Sequence, residues 1–178
     1  VALAEQTAAS AAPDAFAKAV EAAMRLLDEA IALDSKNGEA YVERGYLKAY
    51  FDVAAADADL RRGIELSPNY ARGYEGLAAV LFQSVARRRE AFEMLEKARR
   101  LDPLDPRLDV IKAAYLIYGP GDTQQAVAIL RSVLERDPLY VPALVRLGNL
   151  RWTVGGAHAE SILLVEQAVA LDAGNETA

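Results

Sequence analysis

The chain has no cysteine, which excludes disulfides, thiolate catalysis and Cys-ligated zinc or iron–sulfur centres. It has a single histidine, His158, so no multi-histidine metal cluster can form and little remains for imidazole acid–base chemistry. No apolar run approaches the roughly 18 residues of a membrane span. Runs of Val, Ile and Thr with period two are scarce, which argues against sheet. Basic residues number 20 against 26 acidic ones, and a net charge of -6 argues against a dedicated nucleic-acid binder. What is present is an alanine-rich, helix-favouring chain of 178 residues, 53% hydrophobic and 26% charged, enough for one domain or a short repeat array. It begins Val1-Ala2-Leu3-Ala4, which faintly resembles the end of a signal peptide but reads better as plain Ala-rich helix.

The chain repeats itself. A Leu-Asp-like pair precedes a turn at Leu33-Asp34, Leu66-Ser67, Leu101-Asp102, Arg136-Asp137 and Leu171-Asp172, with second members spaced 33, 35, 35 and 35 apart. The next residue is Ser35, Pro68, Pro103, Pro138 and Ala173, so three of five copies carry a helix-stopping proline. Counting back, the seventh residue is Leu27, Leu60, Leu95, Leu130 and Val165. The eleventh is Ala23, Ala56, Ala91, Ala126 and Ser161, and the fourth is Ala30, Gly63, Ala98, Val133 and Ala168. Small, large, small at these offsets is one stripe of a helix, in which small residues let a neighbour approach and the large one fills the gap.

Each copy also has an earlier helix. Its packing positions read Tyr41, Val42 and Gly45; Tyr74, Leu77, Ala78 and Leu81; Val110, Ala113 or Ala114, and Ile117; and Leu144, Leu147, Gly148 and Trp152. The pattern predicts helices near 15–33, 39–50, 53–66, 70–83, 87–101, 107–118, 122–136, 140–153 and 157–171, with a separate helix within 1–12 ahead of Pro13-Asp14. Gly119-Pro120-Gly121-Asp122 and Gly155-Gly156 are clear breakers, whereas 83–87 has neither Gly nor Pro.

These residues resemble the tetratricopeptide repeat (TPR), a 34-residue helix–turn–helix motif. The resemblance covers nearly the whole chain as one array: a half repeat over 14–36, full repeats over 37–69, 70–104, 105–139 and 140–173, and a tail over 174–178. The best matches are Tyr74, Leu77, Ala78, Leu81, Ala91, Leu95, Ala98 and Pro103. The first full copy departs: it is short by one residue and has Arg44 and Lys48 where apolar residues are usual, which predicts irregular packing there. The resemblance implies an all-α, right-handed α-solenoid of antiparallel helix pairs, with first helices lining a concave face.

By register, that face carries Val42, Tyr46, Tyr50, Arg72, Glu75, Phe82, Arg107, Val110, Tyr118, Val145, Asn149 and Trp152. Amphipathic rings at five of these positions suit a groove that holds a peptide or helix of a partner protein; the alternative for each ring is packing between helices. The Lys and Asn clamp with which some such repeats hold a C-terminal carboxylate is absent, since the matching positions are Val42, Tyr46 and Glu75. The reading is therefore a non-enzymatic protein-binding scaffold with no cofactor and no metal, forming part of a larger bacterial regulatory protein. The alternative is a periplasmic assembly or secretion scaffold, and the compartment stays open between periplasm and a favoured cytoplasm.

Other signals are weaker. Arg87-Arg88-Arg89 opens a helix, where the dipole disfavours cations, and reads either as an acidic-partner dock or as a solvated edge. His158 has no orienting group or oxyanion loop beside it. Asp57 and Asp59 do not share a helix face. An array of this kind ends in a helix with a polar outer face. None is legible after 157–171, so the sequence predicts that more chain follows or that this face docks something, a second copy included.

Overall fold

A computed structural model describes residues 2–154 and 156–175, with side chains for 15–154 and 156–171. The described residues form nine α-helices and one 3-10 turn, with no strand: α1 Ala2–Leu33, α2 Gly38–Lys48, α3 Val53–Leu66, α4 Ala71–Phe82, a 3-10 turn at Val85–Arg87, α5 Arg88–Leu101, α6 Pro106–Tyr118, α7 Thr123–Arg136, α8 Val141–Thr153 and α9 His158–Asn175. They fall into two compact units, Val1–Leu81 and Phe82–Ala178. The division runs between α4 and α5, inside the repeat expected over 70–104.

The repeat register is written in hydrogen bonds. The amide of the Asp/Ser column donates to the carbonyl of the small residue four back: Asp34 to Ala30, Ser67 to Gly63, Asp102 to Ala98 and Asp137 to Val133, at 2.8–2.9 Å. The next turn follows at once, from Asn37 to Asp34, Tyr70 to Ser67 and Tyr140 to Asp137. Asn37, Asp52, Asp105 and Asp122 then cap α2, α3, α6 and α7 by accepting backbone N–H bonds through their side chains.

In the first unit, α2 packs between α1 and α3. Val42 and Leu60 are fully buried. The two basic residues of α2, Arg44 and Lys48, do not disturb this packing. Arg44 donates to both oxygens of Asp59 at 2.7 and 2.8 Å, and the Lys48 ammonium lies 2.7 Å from the same carboxylate. Asp59 thus takes the place of the apolar contact, and the expectation of irregular packing is corrected: an internal ion pair fills the position. Arg44 also reaches Asp28 on α1 at 2.7 Å.

Gly63 sets how closely α2 approaches α3. A Cβ there would lie 2.5 Å from Val42 Cγ2 and 2.8 Å from the Gly38 carbonyl oxygen. Its register mates Ala30, Ala98 and Ala168 tolerate the methyl group, but Gly63→Ala is expected to cost about 1–3 kcal/mol despite the better helix propensity of alanine. Urea melts of the two chains measure this.

In the second unit, α6 pairs with α7 and α8 with α9. Val110, Ala113, Leu116, Ala126, Leu130, Val133, Ala143, Leu147 and Leu150 form one core. Ala113, not Ala114, is the small packing residue, since only Ala113 is buried.

Two boundary expectations are corrected, and the turn expected between the helices at 83–87 is present. Pro13 lies inside α1 and does not split it, although it removes one helical hydrogen bond. The stretch 83–87 turns through the 3-10 segment before α5 begins. Finally, α9 runs to Asn175, past the stop expected near 171–174, because Ala173 stands where other copies have proline. Gly121 and Gly156 adopt left-handed φ of 77° and 65°, which suits glycine at these turns. Gly155 and residues 176–177 lie outside the described residues.

Candidate protein-binding groove

The sequence-derived groove residues separate into three sets. Val42, Glu75 and Val110 are buried and cannot present a surface: Val42 sits under Gly63 and Gly73, and Val110 belongs to the core of the second unit. These three are corrections: helices approach closely over Val42 at Gly63 and Gly73, Val110 packs into the core, and Glu75 is 8% exposed. A second set is half-buried or committed to neighbours. The Tyr46 ring lies beneath the Arg72 guanidinium at 4.2 Å, its hydroxyl donates to the Arg72 carbonyl, and Gly76 leaves room for its edge. Arg72 is itself held by Glu43 at 2.6 Å, which also accepts the Tyr70 hydroxyl. Phe82 stacks on Tyr115 with centroids 3.9 Å apart and meets Phe92 edge-on, so its ring packs between helices. Arg107 pairs with Asp105 beside it.

The third set is exposed. In the first unit it is Tyr50, 77% accessible. In the second it is Tyr118 at the end of α6, and Val145, Asn149 and Trp152 on one outward stripe of α8. Trp152 rests against His158, with ring centroids 4.6 Å apart.

Tyr50 leads to an apolar groove of about 630 Å³ in the first unit. Phe16, Val20 and Met24, spaced four residues apart along α1, form one wall, and Tyr50 with Phe51 at the end of α2 forms the other. Phe16 meets Tyr50 edge-on at 6.4 Å, yet Phe16 and Phe51 remain about three-fifths exposed. Glu21, Arg25 and Asp28 edge the groove with charge of both signs.

The groove adjoins a register position that is less covered than its mates. Leu60, Leu95 and Leu130 are fully buried, but their register mate Leu27 on α1 is only half-buried. α2 lies beside α3, α6 beside α7 and α8 beside α9, whereas among the described residues α1 has α2 as its neighbour. The α1 wall is not apparent from the repeat register, which picks out only the stripe Ala23, Leu27 and Ala30. The signal is nonetheless present: Phe16, Val20 and Met24 form a second apolar stripe, and a surface helix needs only one.

The arginine run offers little as an acidic-partner dock. Arg87 pairs with Glu90, Arg89 with Glu93, and Arg88 lies over the Phe82 ring. Asp57 and Asp59 serve different ion pairs. Among the described residues, no group of three or more His, Cys, Asp or Glu could hold a metal ion, and no helix is long and apolar enough to cross a membrane.

No family model matches the chain, and no curated protein matches it in sequence. Solved structures do match in fold. A thermophilic TPR protein of Thermus thermophilus is 19% identical with a TM-score of 0.73, covering 89% of this chain and 86% of that one. PilW, a widely conserved type IV pilus biogenesis factor, has the same identity and TM-score over 87% of this chain and 71% of its own. YrrB, a TPR protein with an unusual peptide-binding site, is 18% identical with a TM-score of 0.60, over 88% and 80%. The chain has the all-α fold of the tetratricopeptide repeat.

Proposed function

We propose that this chain is a non-catalytic binding module that seats an amphipathic helix of a partner protein in the groove between α1 and the end of α2. The observation that carries the reading is the open apolar wall of Phe16, Val20, Met24, Tyr50 and Phe51, beside a repeat leucine that is buried elsewhere and half-buried here. A helix seated there completes the half repeat. It covers apolar surface worth about 25 cal/mol per Å², the term that stabilises helix-in-groove complexes. Peptide binding on this fold has a precedent in YrrB.

Helical peptides enriched from a displayed amphipathic library test this. Their affinity is expected to fall about tenfold to a hundredfold on Phe16→Ala/Tyr50→Ala, as for central aromatic anchors. Trp152→Ala, outside the first unit, is expected to leave it unchanged. Equal affinity for wild type and the double variant, with helicity intact, overturns the assignment.

Within this reading the module is the docking part of a larger bacterial regulatory protein. The alternative is an envelope assembly or secretion scaffold, a reading that the fold shared with the pilus biogenesis factor PilW supports. Release with the periplasmic fraction on osmotic shock decides for the envelope, and retention in the cytoplasm for the regulator.

A further inference from the structure

A second surface, unrelated to the α1 groove, emerges when α5, α7 and α9 are compared within the second unit. On α5, Phe92 meets Tyr115 of α6 edge-on at 5.9 Å, and Glu96 accepts Lys112 of α6 at 2.7 Å. On α7, Val127 and Leu134 lie against the core to which α8 contributes Ala143, Leu147 and Leu150. Phe92 on α5 and Val127 on α7 hold the same register position, thirty-five residues apart. Thirty-five residues beyond Val127, Arg131 and Leu134 stand Ile162, Glu166 and Val169 of α9, the last two also matching Glu96 and Arg99 at twice that interval. The opposite side of α9 is already committed: Leu164 packs on the core, Ala168 is buried, and the Ser161 hydroxyl donates to the Gly148 carbonyl at 2.7 Å. The outer side is open, with Ile162 at 48%, Leu163 at 66% and Val169 at 62% exposure.

We infer that the outer face of α9 docks an amphipathic helix of another protein, seated as α6 sits on α5, with apolar side chains over Ile162, Leu163 and Val169 and a lysine or arginine against Glu166. Charge selects this occupant over a second copy of the chain. Glu166 lies at the middle of the face, between Ile162 and Val169–Ala170, so a two-fold pairing of α9 with itself brings one Glu166 against the other. Like charges opposed across an apolar contact disfavour that pairing, whereas a cation on a foreign helix satisfies the carboxylate as Lys112 satisfies Glu96.

The test uses the full chain in the Phe16→Ala/Tyr50→Ala background, so that the α1 groove contributes nothing, and a fluorescein-labelled peptide of residues 105–119 as probe. Saturable binding is expected by fluorescence polarisation, weakened about tenfold or more by Val169→Asp and by Glu166→Lys. A peptide with Lys112→Glu is expected to bind the Glu166→Lys chain better than the wild-type chain does. These side chains are exposed, so circular dichroism melts are expected to be unchanged. Absence of binding, binding indifferent to Val169→Asp, or failure of the charge exchange to restore affinity overturns the inference. Concentration-dependent self-association in sedimentation that Val169→Asp abolishes also overturns it, and assigns the face to a second copy.

Discussion

Leu95→Ala is expected to destabilise the second unit by about 2–5 kcal/mol, the range for removing a fully buried leucine and leaving a cavity. Leu95 is 0% exposed at the centre of the α5 stripe, between the buried Ala91 and Ala98. The single tryptophan, Trp152, lies in the same unit, so its fluorescence in a urea titration reports the loss. An internal control comes from the same register column. Leu27 on α1 is half-buried, and Leu27→Ala is expected to cost about 1 kcal/mol, since less apolar area leaves water at that position. If the two substitutions cost the same, or if Leu95→Ala costs less than about 0.5 kcal/mol, the stacking of second helices is not what holds the unit together.

The second large effect concerns Asp59. Its carboxylate is 10% exposed and holds both Arg44 and Lys48, whose side chains are themselves mostly covered. Asp59→Ala strands two cations beside each other. Removing one member of a buried pair costs about 3–5 kcal/mol; Arg44 retains Asp28 and Lys48 can turn to water, so about 2–3 kcal/mol is expected for the first unit. Far-ultraviolet circular dichroism in urea checks it. Acid is expected to act on the same site. Burial acts to raise the Asp59 pKa, but the hydrogen bonds from Arg44 and Lys48 outweigh it and hold the carboxyl below its ordinary value of 3.8. A carboxyl with a lower pKa folded than unfolded stabilises fully above the unfolded value, and that contribution is lost as pH falls through the folded one. Stability is therefore expected to drop below about pH 4, and Asp59→Asn to flatten that limb. An acid limb identical in the Asp59→Asn chain removes Asp59 as its source.

The helix boundaries were legible because the punctuation is local. The prolines at 68, 103 and 138 bar continuation through their own rings, whereas the caps that Asn37, Asp52 and Asp122 make with amides three residues on entered only with the structure. Where that punctuation fails, as at Ala173, the helix overran the expectation. The packing columns were legible too, since Ala56, Leu60, Ala91, Leu95, Ala98, Ala126, Leu130 and Val133 are all 0% exposed.

The candidate site was read less well. Five rings on the first helices of the repeats look alike in a sequence, yet Tyr46 and Phe82 lie against neighbouring side chains while Tyr50, Tyr118 and Trp152 face outward. Whether a ring is covered depends on the distance and tilt of another helix, and Gly76 opens that space beside Tyr46 without altering the pattern nearby.

Periodicity, breakers and stops were thus enough to establish that the molecule is built of repeated helical hairpins and which side chains hold each hairpin closed, because those interactions span only a few residues or recur at a constant interval. Which apolar faces remain open was a matter for packing in three dimensions. Leu27 and Leu60 are equivalent in the repeat, and so are Ile162 and Val127, yet Leu60 is fully buried and Leu27 half-buried, while Val127 packs against the core and Ile162 is 48% exposed, because the helices lying beside them differ.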